Sequence, residues 1–277
     1  MPDFSLIGGS PSALESGYDF TSTTGTALTT GGTDTKGSYV ELLSAANNTY
    51  ASDKLMISIS RLGGAGTDAL TLTDIAIGGA GSEVVICPNL LGRINSDGYG
   101  LVHFVYDFPV HIPAGVRISA RVQTSGSSGT SDVHIIRVRQ ALSQQSPLSK
   151  ILAIGDDTAT TSGVTVARTT ANTFGSWVEI TASLSESIKG FIVSGIKDFY
   201  SWQIAKITYQ VGVGSAGNEE VIYSGGHIAT DTQEKGQGAI SSFIPIGIAA
   251  GERISIRAQS NIADADCDLD YIIYGVR

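Results

Sequence analysis

Residues 109–123 read PVHIPAGVRISARVQ, and residues 245–259 read PIGIAAGERISIRAQ. Nine of these fifteen positions are identical at an offset of 136 residues. Two more stretches align without gaps. IAIGGAGSEVVI at 75–86 matches VGVGSAGNEEVI at 211–222 in six of twelve positions, at the same offset. TTGTALTTGGTDTKGSYVEL at 23–42 matches TSGVTVARTTANTFGSWVEI at 161–180 in seven of twenty, at an offset of 138. Conserved order and a slip of two residues are the signature of an internal duplication. The expected organisation is an N-terminal arm at 1–22, one domain at 23–140, a linker at 141–160 and a second domain at 161–277.

Within VRISARVQ, Val116, Ile118, Ala120 and Val122 alternate with Arg117, Ser119, Arg121 and Gln123. The second copy keeps the pattern, with Arg253, Ser255, Arg257 and Gln259 on its polar side. A period of two places one set inward and leaves the other on a wet or interfacial face. Similar short runs, about eight per copy and punctuated by Gly, Ser and Asp, predict an all-β chain of two tandem antiparallel sandwiches. No Cys…Trp…Cys spacing occurs, so a jelly-roll-like order is preferred to an immunoglobulin one. The glycines of IGGAGSE and VGSAGNE follow strands without a helix behind them. They therefore predict turns rather than a phosphate cradle.

Composition bounds the function. The chain has 277 residues, 42% of them hydrophobic and 16% charged, so it can build real cores. A net charge of −9, with no basic stripe, argues against nucleic acid as partner. The N-terminus lacks the basic and apolar regions of a secretory signal, and no apolar run is long enough for a membrane helix. A protein made in a cytoplasm, without membrane insertion, is the expectation. Cys87 and Cys267 stand far apart and form no metal or disulfide framework. Cys87, in EVVICPNL, is expected as a buried thiol. No cofactor is implied.

Few residues invite chemistry. His103, His111, His134 and His227 form no metal pair, and Gly247 stands where His111 would be repeated. The stretch DADCDLDY puts Asp264, Asp266, Asp268 and Asp270 on one side if it is a strand. Three readings stay open: a hard cation such as Ca²⁺, ion pairs with Arg253 and Arg257 on a neighbouring strand, or a solvated loop. Phe199, Tyr200, Trp202 and Tyr209 are read as core, as an interface, or as a sugar platform. Arg117, Arg121, Arg253, Arg257 and Trp202 are the interface candidates. For the arginines, contact with other subunits and pairing within the chain are both open.

The phrases IPAGVRISARVQ and GSEVVICPNLL in copy one, and FIPIGIAAGERISIRAQS in copy two, resemble virion structural proteins of tailed bacteriophages. The second copy departs after Ile222, where YSGGHIA replaces CPNLLGR. The resemblance implies a non-enzymatic virion component with capsid or other virion proteins as partners. A decoration or cement protein of the head, homo-oligomeric and favouring a trimer, is the expectation. A receptor- or glycan-binding tail or baseplate protein is the alternative.

Overall fold

A computed structural model describes residues 13–16, 25–61, 69–94, 102–126, 130–138, 150–167, 170–197, 205–229, 239–262 and 269–277. The described residues are strands, turns and extended segments. The first half carries β1 (Ala13–Ser16), β2 (Thr26–Thr29), β3 (Val40–Leu43), β4 (Lys54–Arg61), β5 (Ala69–Ile77), β6 (Val84–Ile94), β7 (Val102–Phe108), β8 (Ile118–Thr124) and β9 (Thr130–Val138). The second carries β10 (Ile151–Ile154), β11 (Val164–Val166), β12 (Val178–Thr181), β13 (Gly190–Lys197), β14 (Ala205–Val213), β15 (Glu220–Ala229), β16 (Ala239–Ile240), β17 (Ile254–Ser260) and β18 (Leu269–Val276).

The pairing is the same in both halves. One sheet runs β1-β9-β4-β7 with β2 also on β9, and its counterpart runs β10-β18-β13-β16 with β11 also on β18. The facing sheets run β3-β8-β5-β6 and β12-β17-β14-β15. Every neighbouring pair is antiparallel, and this interleaved order is that of a jelly roll. Even the irregularities repeat. The β3–β8 ladder slips between Glu41 and Leu43, and the β12–β17 ladder between Glu179 and Thr181.

Two stretches outside the expected domain bounds form paired strands. Part of the arm is a strand, since Ala13–Ser16 pairs with β9 from Val138 to Ile135. Part of the linker is a strand as well, since Ile151–Ile154 pairs with β18 from Val276 to Ile273. The reason is local. β2 and β11 cover only the far ends of β9 and β18, and the remaining backbone donors and acceptors need a second partner. The segment ISSFIPIGI lies mostly outside continuous strands. Only Ala239–Ile240 pairs as β16, and the rest continues in isolated bridges to Phe191 and Ile188.

Turns are where expected. Gly78 and Gly81, with their counterparts Gly214 and Gly217, have φ of 117°, 83°, 116° and 84°. Such values favour glycine and close the β5–β6 and β14–β15 hairpins. The Pro-Ala-Gly turn before β8 is anchored by Asn48, whose Nδ2 donates to Pro113 O at 2.9 Å and Val116 O at 2.8 Å.

The inner faces make the cores. Phe191, Val193, Leu269, Tyr271 and Ile273 pack with Ile207, Val211, Ile254 and Ile256 inside the second sandwich. The alternate residues Ile192, Ile196, Ile272, Tyr274 and Val276 join the apolar cluster of the first sandwich. Strand β18 is therefore buried on both sides along its whole length. Each large aliphatic side chain buried this way contributes about 1.5–3 kcal/mol. Cys87 lies fully buried in β6, and burial pushes its thiol pKa up, away from reactivity.

Candidate functional site

The strand-face arginines come first, because the sequence singled them out. Arg117 donates from Nε to Glu41 Oε2 at 3.0 Å and from Nη1 to Glu83 Oε1 at 3.0 Å. Arg253 donates from Nε to Glu179 Oε2 at 2.7 Å and from Nη1 to Glu219 Oε1 at 2.9 Å. Both have their counter-ions inside their own sandwich. Glu83 and Glu219 also accept the turn amides of Gly81 and Gly217, each at 2.9 Å. Hydrogen bonds from its own amide, from Arg117 and from Gly81 hold the Glu83 carboxyl below its ordinary range, against desolvation. Desolvation alone would raise Glu219, but Arg253 and the amides of Glu219 and Gly217 prevail and lower it.

The second arginine of each strand differs between copies. Arg121 lies over the Tyr39 ring, 4.5 Å from its centroid, and its Nε donates to Asp74 Oδ2 at 2.9 Å. Arg257 lies 4.4 Å from the Trp177 centroid and 4.9 Å from that of Phe174. Its Nε donates to the neutral Gln210 Oε1 at 2.8 Å. In copy one Lys36 occupies the place of Phe174 and Asp74 that of Gln210. Lys36 Nζ donates to Asp74 Oδ1 at 3.0 Å and to Leu72 O at 2.9 Å. Burial lowers the Lys36 pKa, an effect the adjacent Asp74 opposes.

This charged group sits beside the contact between the sandwiches. Asp74 Oδ1 also accepts the Asn89 amide at 2.9 Å, which steadies a bulge in β6 where Asn89 has a φ of 50°. Asn89 Nδ2 then donates to Asp156 Oδ2 at 2.6 Å. The Tyr274 hydroxyl donates to Asn89 O at 2.8 Å and accepts the Leu91 amide at 2.7 Å. Tyr106 donates to Leu91 O at 2.6 Å and lies 3.0 Å from Ser194 Oγ. Burial pushes both phenols well above their usual pKa, so they stay protonated donors. The Tyr106 and Tyr274 rings meet edge to face, with centroids 5.4 Å apart. Gln123 Nε2 reaches Thr158 O at 2.9 Å and Thr161 Oγ1 at 2.8 Å, and Thr161 donates to Asp34 Oδ1 at 2.6 Å.

Between these bonds lies a cavity of about 480 Å³. Its wall includes Lys36, Arg121, Asp34 and Asp74, together with Gln123, Val85 and Pro88, and Thr158 from the second half. The lining thus carries two cations, two carboxylates, amide and hydroxyl groups, and a small apolar patch. It is a candidate site, open to solvent, at the junction of the two halves.

The other sequence candidates fare differently. Asp264, Asp266, Asp268 and Trp202 lie outside the described residues, as do Cys267, Phe199 and Tyr200. Asp270 is buried on β18 and accepts the Thr165 hydroxyl at 2.7 Å. Asp270 and the arginines Arg253 and Arg257 do not stand on neighbouring strands. β18 belongs to one sheet and β17 to the other, where β17 lies between β12 and β14. Among the described residues no group of three or more His, Cys, Asp or Glu gathers for a metal. Tyr209 packs in the second core. His111 Nδ1 lies 2.7 Å from Asp53 Oδ1. The polar side of β8 is only partly wet: Ser119 and Gln123 are buried, Gln123 beneath residues of the second half, while Arg121 is half-buried.

Sequence reasoning passed over Lys36, Asp74, Asn89, Asp156, Tyr106 and Tyr274. Two signals were present. The aligned copies exchange a Lys/Asp pair for Phe/Gln, and LDYIIYGV is apolar at both parities, as a strand buried on both faces must be.

No protein-family model and no curated protein matches the chain. Several solved structures show a distant likeness to it. A chain of the cowpea mosaic virus top component, the naturally occurring empty particles, is 9% identical with a TM-score of 0.38, over 100% of this chain and 95% of that one. A chain of broad bean stain virus is 10% identical with a TM-score of 0.38, over 90% and 87%. PNGF-II is 8% identical with a TM-score of 0.37, over 91% of this chain and 59% of its own. The jelly-roll topology stands on the strand order and registers, independently of these likenesses.

Proposed function

We propose that the protein is a non-enzymatic structural component of a virus particle, a decoration or cement protein on the head of a tailed bacteriophage. The observation that carries this reading is the way the two jelly rolls meet. The edge of the first sandwich, at β6 and β7, seats on the outer face of β13 and β18 in the second. Edge on face is a head-to-tail contact between like units, and such contacts extend into rings when the rotation closes. In the second sandwich the counterpart of β6 is β15, where Val221 is 41% exposed. In the first sandwich the outer face includes Met56 and Ser58, with Val105 39% exposed. A sister copy applying that edge to this face would continue the pattern. Three chains would then give six sandwiches about one axis, a trimer with quasi-sixfold symmetry. The resemblance of IPAGVRISARVQ and GSEVVICPNLL to phage virion proteins supports the same assignment. Surface complementarity is the mechanism, and the acidic balance suits basic patches on a shell.

Electron microscopy of immunolabelled particles tests it. Label over the head supports the reading, and label confined to the tail or absent from particles overturns it. Native mass measurement tests the trimer, against which a stable monomer at micromolar concentration would count. The second reading, a receptor- or glycan-binding tail or baseplate protein, draws on the polar cavity at the junction.

A further inference from the structure

We propose that the junction cavity binds a neutral sugar, a pyranose held singly or at the end of a glycan, whether the protein sits on head or tail. The volume, about 480 Å³, is that of a small-molecule site. Its charges cancel, with Lys36 and Arg121 against Asp34 and Asp74. A bound anion would face two carboxylates and a bound cation two cations. A polyol, whose hydroxyls both donate and accept, suits both signs at once.

The spare hydrogen-bonding capacity fits as well. Asp74 is already engaged by Lys36, Arg121 and the Asn89 amide, so it anchors the site rather than contacting ligand. Among the described residues Arg121 spends only Nε in hydrogen bonding, which leaves its terminal nitrogens as donors. Lys36 uses two of its three donors. Asp34 uses Oδ1 for Thr161, which leaves its other oxygen for a hydroxyl. Val85 and Pro88 offer the apolar surface that the C–H face of a sugar ring requires. The internal repeat acts as a control. At the matching place copy two has Phe174 and Gln210, and the wall contributed by Thr158 exists only where the two halves meet.

Saturation-transfer NMR on the full chain, with D-glucose, D-galactose, D-mannose and N-acetyl-D-glucosamine as probes, tests the proposal. Acetate and inorganic phosphate serve as competitors. At least one sugar is expected to bind and to survive either anion. Asp34→Asn keeps an oxygen for Thr161 but removes the charge. It should weaken binding about tenfold or more, as for one lost hydrogen bond to a charged group. The double variant K36F/D74Q installs the residues that copy two carries and should abolish binding with the fold intact. Should that variant fail to fold, D34N decides. Silence from every sugar, displacement by acetate or phosphate, or undiminished binding in D34N overturns the proposal.

Discussion

Glu83 and Glu219 each join a hairpin turn to the arginine just before β8 or β17, so one carboxylate fixes two segments. Their folded pKa values lie below the ordinary carboxylate value. A depressed carboxyl contributes stability that is complete above its unfolded pKa, about 4.3 for Glu. That contribution is lost as pH falls through the lower folded value. The thermal midpoint should therefore fall as pH drops below about 4.3. Scanning calorimetry of the wild type and of E83Q/E219Q checks this. The double variant should begin less stable and lose less in acid, and parallel curves would refute the assignment.

At the scale of elements, the copies show how one ladder accommodates different residues. Where the first sandwich has Tyr39 and Ala76, the second has Trp177 and Gly212. A Cβ on Gly212 would stand 2.8 Å from the Trp177 ring. The larger ring thus requires the smaller partner on β14. Gly212→Ala should cost about 1–3 kcal/mol through overpacking. Adding Trp177→Tyr should restore most of the loss, because it recreates the pair found in copy one. Urea denaturation of the two single variants and the double measures the coupling, and additive effects would argue against direct contact.

At the scale of the molecule, the contact between sandwiches governs behaviour. Tyr274 satisfies two backbone groups of β6 at once. Tyr274→Phe leaves the Leu91 amide without its acceptor, which should cost about 1–3 kcal/mol in urea unfolding. The second half alone, residues 150–277, would expose Ile192, Ile196, Ile272, Tyr274 and Val276 as one apolar sheet face. Expressed by itself it should aggregate or bind a hydrophobic dye strongly. Co-expression with residues 1–140 should suppress both, as analytical ultracentrifugation would report. A clean monomer of the isolated second half would show that the contact is dispensable.

Much of this was legible from residues 109–123 and their echo at 245–259. Alternation over two sets an inward and an outward face whatever the partners are, so the sandwiches and their signature strand follow from sequence. The turn glycines and the buried Cys87 were also local matters. The short strands Ala13–Ser16 and Ile151–Ile154 were not, because they pair only once β9 and β18 offer an unfilled edge. The arginines could be placed on a face, but their partners stand 34 to 76 residues away in the chain. The candidate site lay further still from view. Asp34, Lys36, Asp74 and Arg121 converge with Thr158 only because one sandwich seats its edge on the other's face. Sequence determined which side chains each strand would offer, since periodicity is a property of the chain. Which of them meet was decided by tertiary packing, since burial and charge pairing depend on contacts the chain makes only when folded.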